Sequence, residues 1–288
     1  METKELLKKV RKLEIKSRGL SSQLFSGQYH SAFKGRGMSF SEVREYQPGD
    51  DIRTIDWNVT ARLNHPYVKV YEEERELTLM LLVDVSGSKN FGTDTRLKSD
   101  LVAEVCAVLS FSALQNNDKI GVIFFSDFVE KYIPPKKGKT HVLRVIRELI
   151  DFQPAHKATD IAEALKFLTN VIKKRCTAFV LSDFLTKPFE ETLRIASKKH
   201  DIVALRICDP REKSLPDVGL VYFQDAETGQ KRWVDTSDRS VRKTYELNYR
   251  KQEDVIKTAF RKAGVDYALL QTDRSYIQPL SNLFRQRG

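Results

Sequence analysis

The stretch Glu76–Asn90, ELTLMLLVDVSGSKN, decides how this chain is read. Leu77 to Val83 run without a charge between Glu76 and Asp84. A short, unbroken apolar run fits a strand buried on both faces, as in a parallel sheet. The run ends in Asp84-x-Ser86-x-Ser88. Ligands of open α/β sheets bind beyond the carboxyl ends of the strands, so one carboxylate and two hydroxyls are expected where a ligand would sit. A hard divalent cation such as Mg²⁺ takes oxygen ligands in near-octahedral geometry and keeps some waters. Asp84 supplies charge to such an ion, and Ser86 and Ser88 supply neutral oxygens. So little donated charge leaves the ion able to accept a carboxylate from a partner. A purely structural reading competes, in which the two serines cap the following helix. The triplet alone does not separate the two.

The second half of the chain adds to the pattern. Leu101–Leu114 is apolar almost all round and reads as a helix sandwiched in the core. Lys119–Ser126 and Phe128–Ile133 read as strands, the second stopped by Pro134-Pro135. Gly138-Lys139-Thr140 lacks the first glycine of a phosphate loop, since position 133 is Ile, and nucleotide binding there is rejected. Asp160 and Glu163 fit a capping box for a helix running to about Lys174. Thr159 stands just ahead of it, with its hydroxyl able to face the crevice. Cys176–Leu181 is a buried strand ending in Ser182-Asp183, which sets a second carboxylate at a second strand end. Helix 188–200, strand 201–208, a hairpin across Ala226–Gly229, a long helix 240–262 with Gly264 as C-cap, and strand 265–271 follow. Strands alternating with helices predict a doubly wound, mostly parallel α/β sheet, with Leu77–Val83 and Thr177–Leu181 as adjacent interior strands.

Composition bounds the function classes. The chain has 288 residues, 41% hydrophobic and 31% charged, as expected of a soluble globular protein. No apolar run is long enough for a transmembrane helix, and the N-terminus lacks the apolar core of a secretory signal. Cys106, Cys176 and Cys208 are widely spaced in apolar sequence, which fits buried thiols in a reducing, cytoplasmic compartment. The net charge of +10 is uneven. Residues 1–70 hold 13 Lys+Arg against 8 Asp+Glu, residues 229–288 hold 13 against 7, and the middle holds 23 against 24. Basic ends attract an acidic partner, nucleic acid or anionic lipid, or serve only solubility. Leu6, Val10 and Leu13 among Lys8, Lys9, Arg11 and Lys12 make a narrow-striped basic amphipathic helix. It is expected to pack on its own domain, so membrane association is at most peripheral.

Residues 25–76 carry a denser pattern. Gly35-x-Gly37 is followed by Phe40-x-Glu42-x-Arg44-x-Tyr46-x-x-Gly49-Asp50-Asp51-x-Arg53-x-Ile55-Asp56-Trp57 and then Ala61-Arg62. The glycine pair has no third member at dinucleotide spacing. Either the block is a salt-bridged flap in which Asp50, Asp51 and Asp56 neutralise Arg44, Arg53 and Arg62, or it is a docking surface for a partner, formed by those residues with Trp57. The chain is thus divided into a helix over 1–24, an extension over 25–76 and an α/β domain over 77–288.

The set Asp84-x-Ser86-x-Ser88, Thr159 and Asp183 resembles the metal-ion-dependent adhesion site of von Willebrand factor A domains. The 25–88 segment is similar to the bacterial domain-of-unknown-function-58 family, whose glycine pair, R-x-Y-x-x-G-D-D-x-R-x-I-D-W block and A-R pair stand here throughout. Many members carry two N-terminal transmembrane helices, for which this sequence has no matching runs. The resemblance implies that Ser86 and Ser88 bind the metal directly, Asp84 and Asp183 directly or through water, and Thr159 when a partner's acidic residue is bound. It implies Mg²⁺ as the metal, with Mn²⁺ or Ca²⁺ as substitutes, and a MoxR-type AAA+ ATPase, with other von Willebrand A proteins, as partners in chaperone-like assembly or stress tolerance. Lys89, next to Ser88, is positioned to weaken the attraction for a cation.

Two other functions compete. A metal-dependent hydrolase of the haloacid dehalogenase kind needs D-x-D, and here Ser86 replaces the second Asp. There is no G-x-S-x-G elbow, and the five histidines are scattered. Nucleic-acid binding rests on the basic ends alone and would be marked by strong salt dependence. The reading taken is an adaptor that binds a partner through a metal, with no catalysis and no nucleic acid.

Overall fold

The computed structural model describes residues 3–21, 37–74, 77–87, 92, 96–224 and 229–287, with the side chains of 3–9, 37–41 and 71–74 excepted. It divides into two compact units, residues 1–33 with 78–288, and residues 34–77. Helix α1 (Thr3–Leu20) belongs to the larger unit. The smaller unit is an antiparallel pair, β1 (Gly37–Glu45) and β2 (Tyr67–Glu74), with the short helix α2 (Trp57–Leu63) in the connection.

The larger unit continues with β3 (Thr78–Asp84), α3 (Lys98–Gln115), β4 (Lys119–Phe125), β5 (Val129–Lys136), α4 (Lys139–Asp151), α5 (Ile161–Val171), β6 (Thr177–Ser182), α6 (Glu190–Lys199) and β7 (Asp201–Cys208). It ends with the hairpin β8 (Leu220–Gln224) and β9 (Lys231–Asp235), then α7 (Arg239–Ala263), β10 (Asp266–Gln271) and α8 (Ile277–Arg287). Six strands form one sheet in the order β10-β7-β6-β3-β4-β5, parallel except for β5 against β4. This is the doubly wound sheet expected, and β3 and β6 are adjacent interior strands, with Val83 opposite Leu181.

The unbroken apolar runs follow from burial on both faces. Met80, Leu82, Ile123, Phe125, Ala178, Val180, Ile202 and Ala204 pack under α5, α6 and α7. Residues of intervening parity, such as Leu79, Leu81 and Phe179, are equally buried, and the Phe179 ring meets Phe284 of α8 edge-on at 6.4 Å. Helix α3 is apolar almost all round because α1 and α4 pack against it as well as the sheet. Lys16 of α1 pairs with Glu104 at 2.8 Å, Glu14 with Lys139 at 3.2 Å, and Ser21 Oγ lies 3.0 Å from Ser112 Oγ. The basic N-terminal helix therefore lies on its own domain.

Two expectations need correction. Pro134-Pro135 does not stop β5, which continues to Lys136. An edge strand tolerates proline because it need not donate on its open side, and the register shifts between Ile120 and Val122 to accommodate the pair. The helix after Asp160 ends at Val171, short of Lys174. Helix α8 is an element the sequence reading passed over. The tip of the β8–β9 hairpin lies partly outside the described residues, and Gly35 lies outside them.

Gly121 sits at that register shift. A Cβ there would come within 2.8 Å of Met80 Sδ, 2.9 Å of the Ile133 carbonyl oxygen and 3.0 Å of Pro135 N. Because two of these are backbone atoms, Gly121→Ala is expected to lower the unfolding free energy by about 1–3 kcal/mol, the usual cost of overpacking. The midpoint of urea denaturation checks it. An unchanged midpoint would mean that β5 yields freely.

Candidate metal centre

The chain leaves β3 for β4 and β5 on one side and returns with β6 on the other. The crevice between the ends of β3 and β6 is therefore the topological switch point of the sheet, where ligands of such folds bind. Asp84 and Asp183 emerge there side by side, both buried. Asp84 Oδ1 accepts from the Ser86 backbone N–H at 2.9 Å, and Asp84 Oδ2 accepts from Ser182 Oγ at 2.6 Å. Ser86 is fully buried.

Backbone bonds draw the Thr159 segment to the same place. Gly87 N donates to Lys157 O at 2.9 Å, and Asp160 N to Ser126 O at 2.8 Å. Thr186 Oγ1 donates to Thr159 O at 2.7 Å. Thr159 is buried just ahead of α5, whose first turn is capped by the Asp160 carboxylate accepting from Ala162 N and Glu163 N. Glu163 pairs with Lys166 at 2.7 Å.

Asp183 is fixed by a strained turn. Phe184 has φ +60°, a conformation uncommon for a bulky side chain. Its N–H donates to Ser182 Oγ at 3.0 Å, and its ring is locked against Phe260 at 4.9 Å and Phe189 at 5.8 Å. Leu185 N then donates to Asp183 Oδ1 at 3.1 Å. The other oxygen, Oδ2, meets a cation the sequence reading did not identify. Lys98 Nζ lies 3.2 Å from it, and Lys98 is also paired with Glu212. Lys98 opens α3, and its side chain is 3% exposed.

The electrostatics follow from burial. Desolvation and then the charge of Asp183 push the Asp84 carboxyl up to about 6, against the hydrogen bonds from Ser182 and Ser86. Burial opposes the Lys98 ammonium, but Asp183 and Glu212 outweigh it and hold the group above its ordinary range. Burial also raises Glu212, with Lys98 pulling it back. Asp84 is thus a buried carboxylate in want of positive charge, among hard oxygen donors. The donor set fits a divalent cation: Asp84, Ser86 and Thr159 would offer it hard oxygens, and Asp183 is already engaged by Lys98. Ser88 and Lys89 lie outside the described residues.

The 44–62 block belongs to the smaller unit. Arg44 grips Asp50 through two hydrogen bonds of 2.8 and 2.7 Å. Asp51 accepts from Arg53 N, and Asp56 caps α2 through Asn58 N and Val59 N while pairing with Lys69 at 3.4 Å. Internal neutralisation therefore accounts for Arg44. Arg53 and Arg62 are exposed and pair with none of these aspartates, and Trp57 is 70% exposed.

One histidine does meet a thiol. Cys176 Sγ lies 3.3 Å from His200 Nδ1, buried at the opposite end of β6 from Asp183. Burial raises the thiol to about 12 and lowers the imidazole to about 4. Both groups are held neutral, the reverse of an activated nucleophile.

Residues 42–255 match the family described as "Protein of unknown function DUF58". The uncharacterized protein Rv1480 of Mycobacterium tuberculosis is 31% identical over 284 residues, which cover 97% of this chain and 89% of that one. This chain belongs to the DUF58 family. Another similar protein is the uncharacterized protein YeaD of Bacillus subtilis, 30% identical over 46% of this chain and 29% of its own. Among solved structures, BatB of Bacteroides thetaiotaomicron is 15% identical, covering 73% of this chain and 98% of that chain with a TM-score of 0.48. The SpRpn10 VWA domain is 12% identical, covering 73% and 95%, with a TM-score of 0.39. The larger unit of this DUF58 protein is a doubly wound, mostly parallel six-stranded sheet flanked by helices. Among the described residues no helix is long and apolar enough to cross a membrane.

The raised Asp84 carboxyl gives a signed prediction. Its folded value of about 6 lies above the unfolded 3.8, so the folded state holds that proton more tightly. In chelator, its contribution is favourable at low pH and is lost as pH rises through about 6. Asp84→Asn should escape that loss. Its stability relative to wild type should climb by up to about 3 kcal/mol between pH 4 and pH 7.5, measured by denaturant unfolding in EDTA. A pH-independent difference would mean Asp84 is ordinarily ionised.

Proposed function

We propose that this DUF58 protein is a metal-dependent protein–protein interaction adaptor that binds a partner's carboxylate through a divalent cation, Mg²⁺ in the cell. The observation that carries this reading is the gathering of Asp84, Ser86, Thr159 and Asp183 at the switch point of the sheet. A metal bound there supplies a positive centre short of donated charge, and an external carboxylate completes its coordination.

The surroundings support a docked chain. A groove of about 530 Å³ adjoins Thr159, with an apolar floor of Phe184, Pro188, Phe189 and Ile256, and with Lys187 and Lys251 lining it. An acidic residue beside an apolar one matches that combination. The exposed Arg53, Trp57 and Arg62, with the Arg44–Asp50 pair and Asp51 and Asp56 that shape their turns, offer a further contact surface. The partner favoured is a MoxR-type AAA+ ATPase, as the family resemblance implies, and the compartment is the cytoplasm, in keeping with three buried free thiols.

We read the site as binding without chemistry. Catalysis needs a base or nucleophile within reach of the bound group. No imidazole pairs with Asp84 or Asp183 among the described residues, and the Cys176–His200 pair lies at the far end of β6.

The test is titration of a purified MoxR-type ATPase into the protein in Mg²⁺ and in EDTA. Wild type is expected to bind in Mg²⁺ and to lose about tenfold or more in affinity in EDTA, the order of effect expected from removing a charged interfacial contact. Asp84→Ala should bind equally weakly in both. Equal affinity in all conditions would place the contact away from the metal centre.

A further inference from the structure

Lys98 stands in a position that the metal reading leaves unexplained. Its ammonium is buried and bridges two carboxylates from different parts of the fold, Asp183 after β6 and Glu212 after β7. Glu212 is itself anchored. Its Oε2 accepts from the Asp209 backbone N–H at 2.9 Å, and Asp209 Oδ2 accepts from Thr272 Oγ1 at 2.6 Å. Asp209 is fully buried, and Glu212 closes a capping box on it. Lys98 sits at the first turn of α3, with a flexible four-carbon stem behind the charge.

Among the described residues, the charges in contact count as follows. Asp84, Asp183 and Glu212 carry three negative charges when ionised, and Lys98 carries one positive. The remainder, two negative charges, is what one divalent cation neutralises. The neighbouring Arg206 lies 3.6 Å from Glu253, which Lys257 shares at 3.1 Å. A metal at this site and the Lys98 ammonium would nonetheless share the Asp183 carboxylate, and two cations on one carboxylate repel. Glu212 offers the ammonium a second holder at no cost in burial.

We infer that Lys98 is an internal cation that competes with the metal for Asp183, and that Glu212 is the berth that retains Lys98 when the metal binds. This rests on the metal-centre reading above and adds the residue that sets its affinity. In the metal-free protein Lys98 satisfies Asp183 and prevents two unpaired carboxylates from meeting in the interior. With a metal bound, Glu212 would hold Lys98 and leave Asp183 to help hold the ion. The site is thereby tuned to weak, reversible loading, and a partner's carboxylate, which adds a negative ligand, favours the loaded form.

Two substitutions test this with opposite signs. Lys98→Met removes the competitor and keeps the stem, and Glu212→Gln removes the berth and confines Lys98 to Asp183. The probe is MnCl₂, titrated calorimetrically into the full chain, with melting temperatures in Mn²⁺ and in EDTA as the second readout. Lys98→Met is expected to bind Mn²⁺ about tenfold more tightly than wild type, and Glu212→Gln about tenfold more weakly, the scale of effect for one close charge. The Mn²⁺-induced rise in melting temperature should be larger in the first and smaller in the second. If Lys98→Met fails to fold in EDTA, the weakening in Glu212→Gln decides. Equal Mn²⁺ affinity in wild type and the folded variants would overturn the competition and leave the metal centre standing. Absence of Mn²⁺ binding in wild type and both variants would overturn the metal centre and the inference together.

Discussion

Two carboxylates buried side by side at the ends of β3 and β6 impose the constraint that the rest of this protein answers. Parallel pairing of Val83 with Leu181 fixes their neighbourhood, since each strand's next residues must leave the sheet at the same edge. Their mutual repulsion and desolvation would be costly if nothing opposed them. The structure opposes them with Ser182, Ser86 and Leu185 as hydrogen-bond donors and with Lys98 as a cation. Removing one partner of such a buried pair costs about 3–5 kcal/mol, so the arrangement cannot be kept by drift of side chains alone. It is built into the ends of two core strands, the strained Phe184 turn and the first turn of α3.

That architecture separates stability from binding. The apolar residues of β3, β4, β6 and β7 are sealed on both faces by helices, and they carry the fold. Asp84, Ser86, Thr159, Ser182 and Asp183 are buried at the carboxyl edge of the sheet. At the opposite edge the Cys176–His200 pair is equally buried but held neutral, as an interior pair with no ion to balance must be. The same chain thus treats two buried ionisable clusters differently, neutralising one by protonation state and the other by ion pairing.

Most of the sheet was legible because strands buried on both faces leave long uncharged runs in the sequence, as in Leu77–Val83 and Cys176–Leu181. Asp84 and Asp183 stand at the ends of those runs with Ser86 close behind, and Thr159 stands just ahead of the helix that Asp160 caps. Lys98 was not legible. A single lysine ahead of an apolar helix reads as a solvated charge, and only the tertiary fold brings it to Asp183, 85 residues away. Glu212 was hidden for the same reason. The continuation of β5 through Pro134-Pro135 was missed because tolerance of proline depends on the strand being an edge, which a local pattern does not reveal. Helix α8 was missed because Pro279 falls in its first turn and masks the Leu280–Leu283–Phe284 stripe, although a first-turn proline gives up only an unpaired N–H.

The central claim is that one divalent cation sits at the switch point between β3 and β6. Paramagnetic broadening by substoichiometric Mn²⁺ in a ¹H–¹⁵N correlation spectrum reads this residue by residue, without any partner. The amides of Ser86, Gly87, Thr159 and Phe184 should broaden first, while those of Cys176 and His200, at the opposite end of β6, keep their intensity. Broadening that begins around Cys176 and His200, or that is spread evenly over exposed acidic residues, would contradict a metal centre at Asp84 and Asp183.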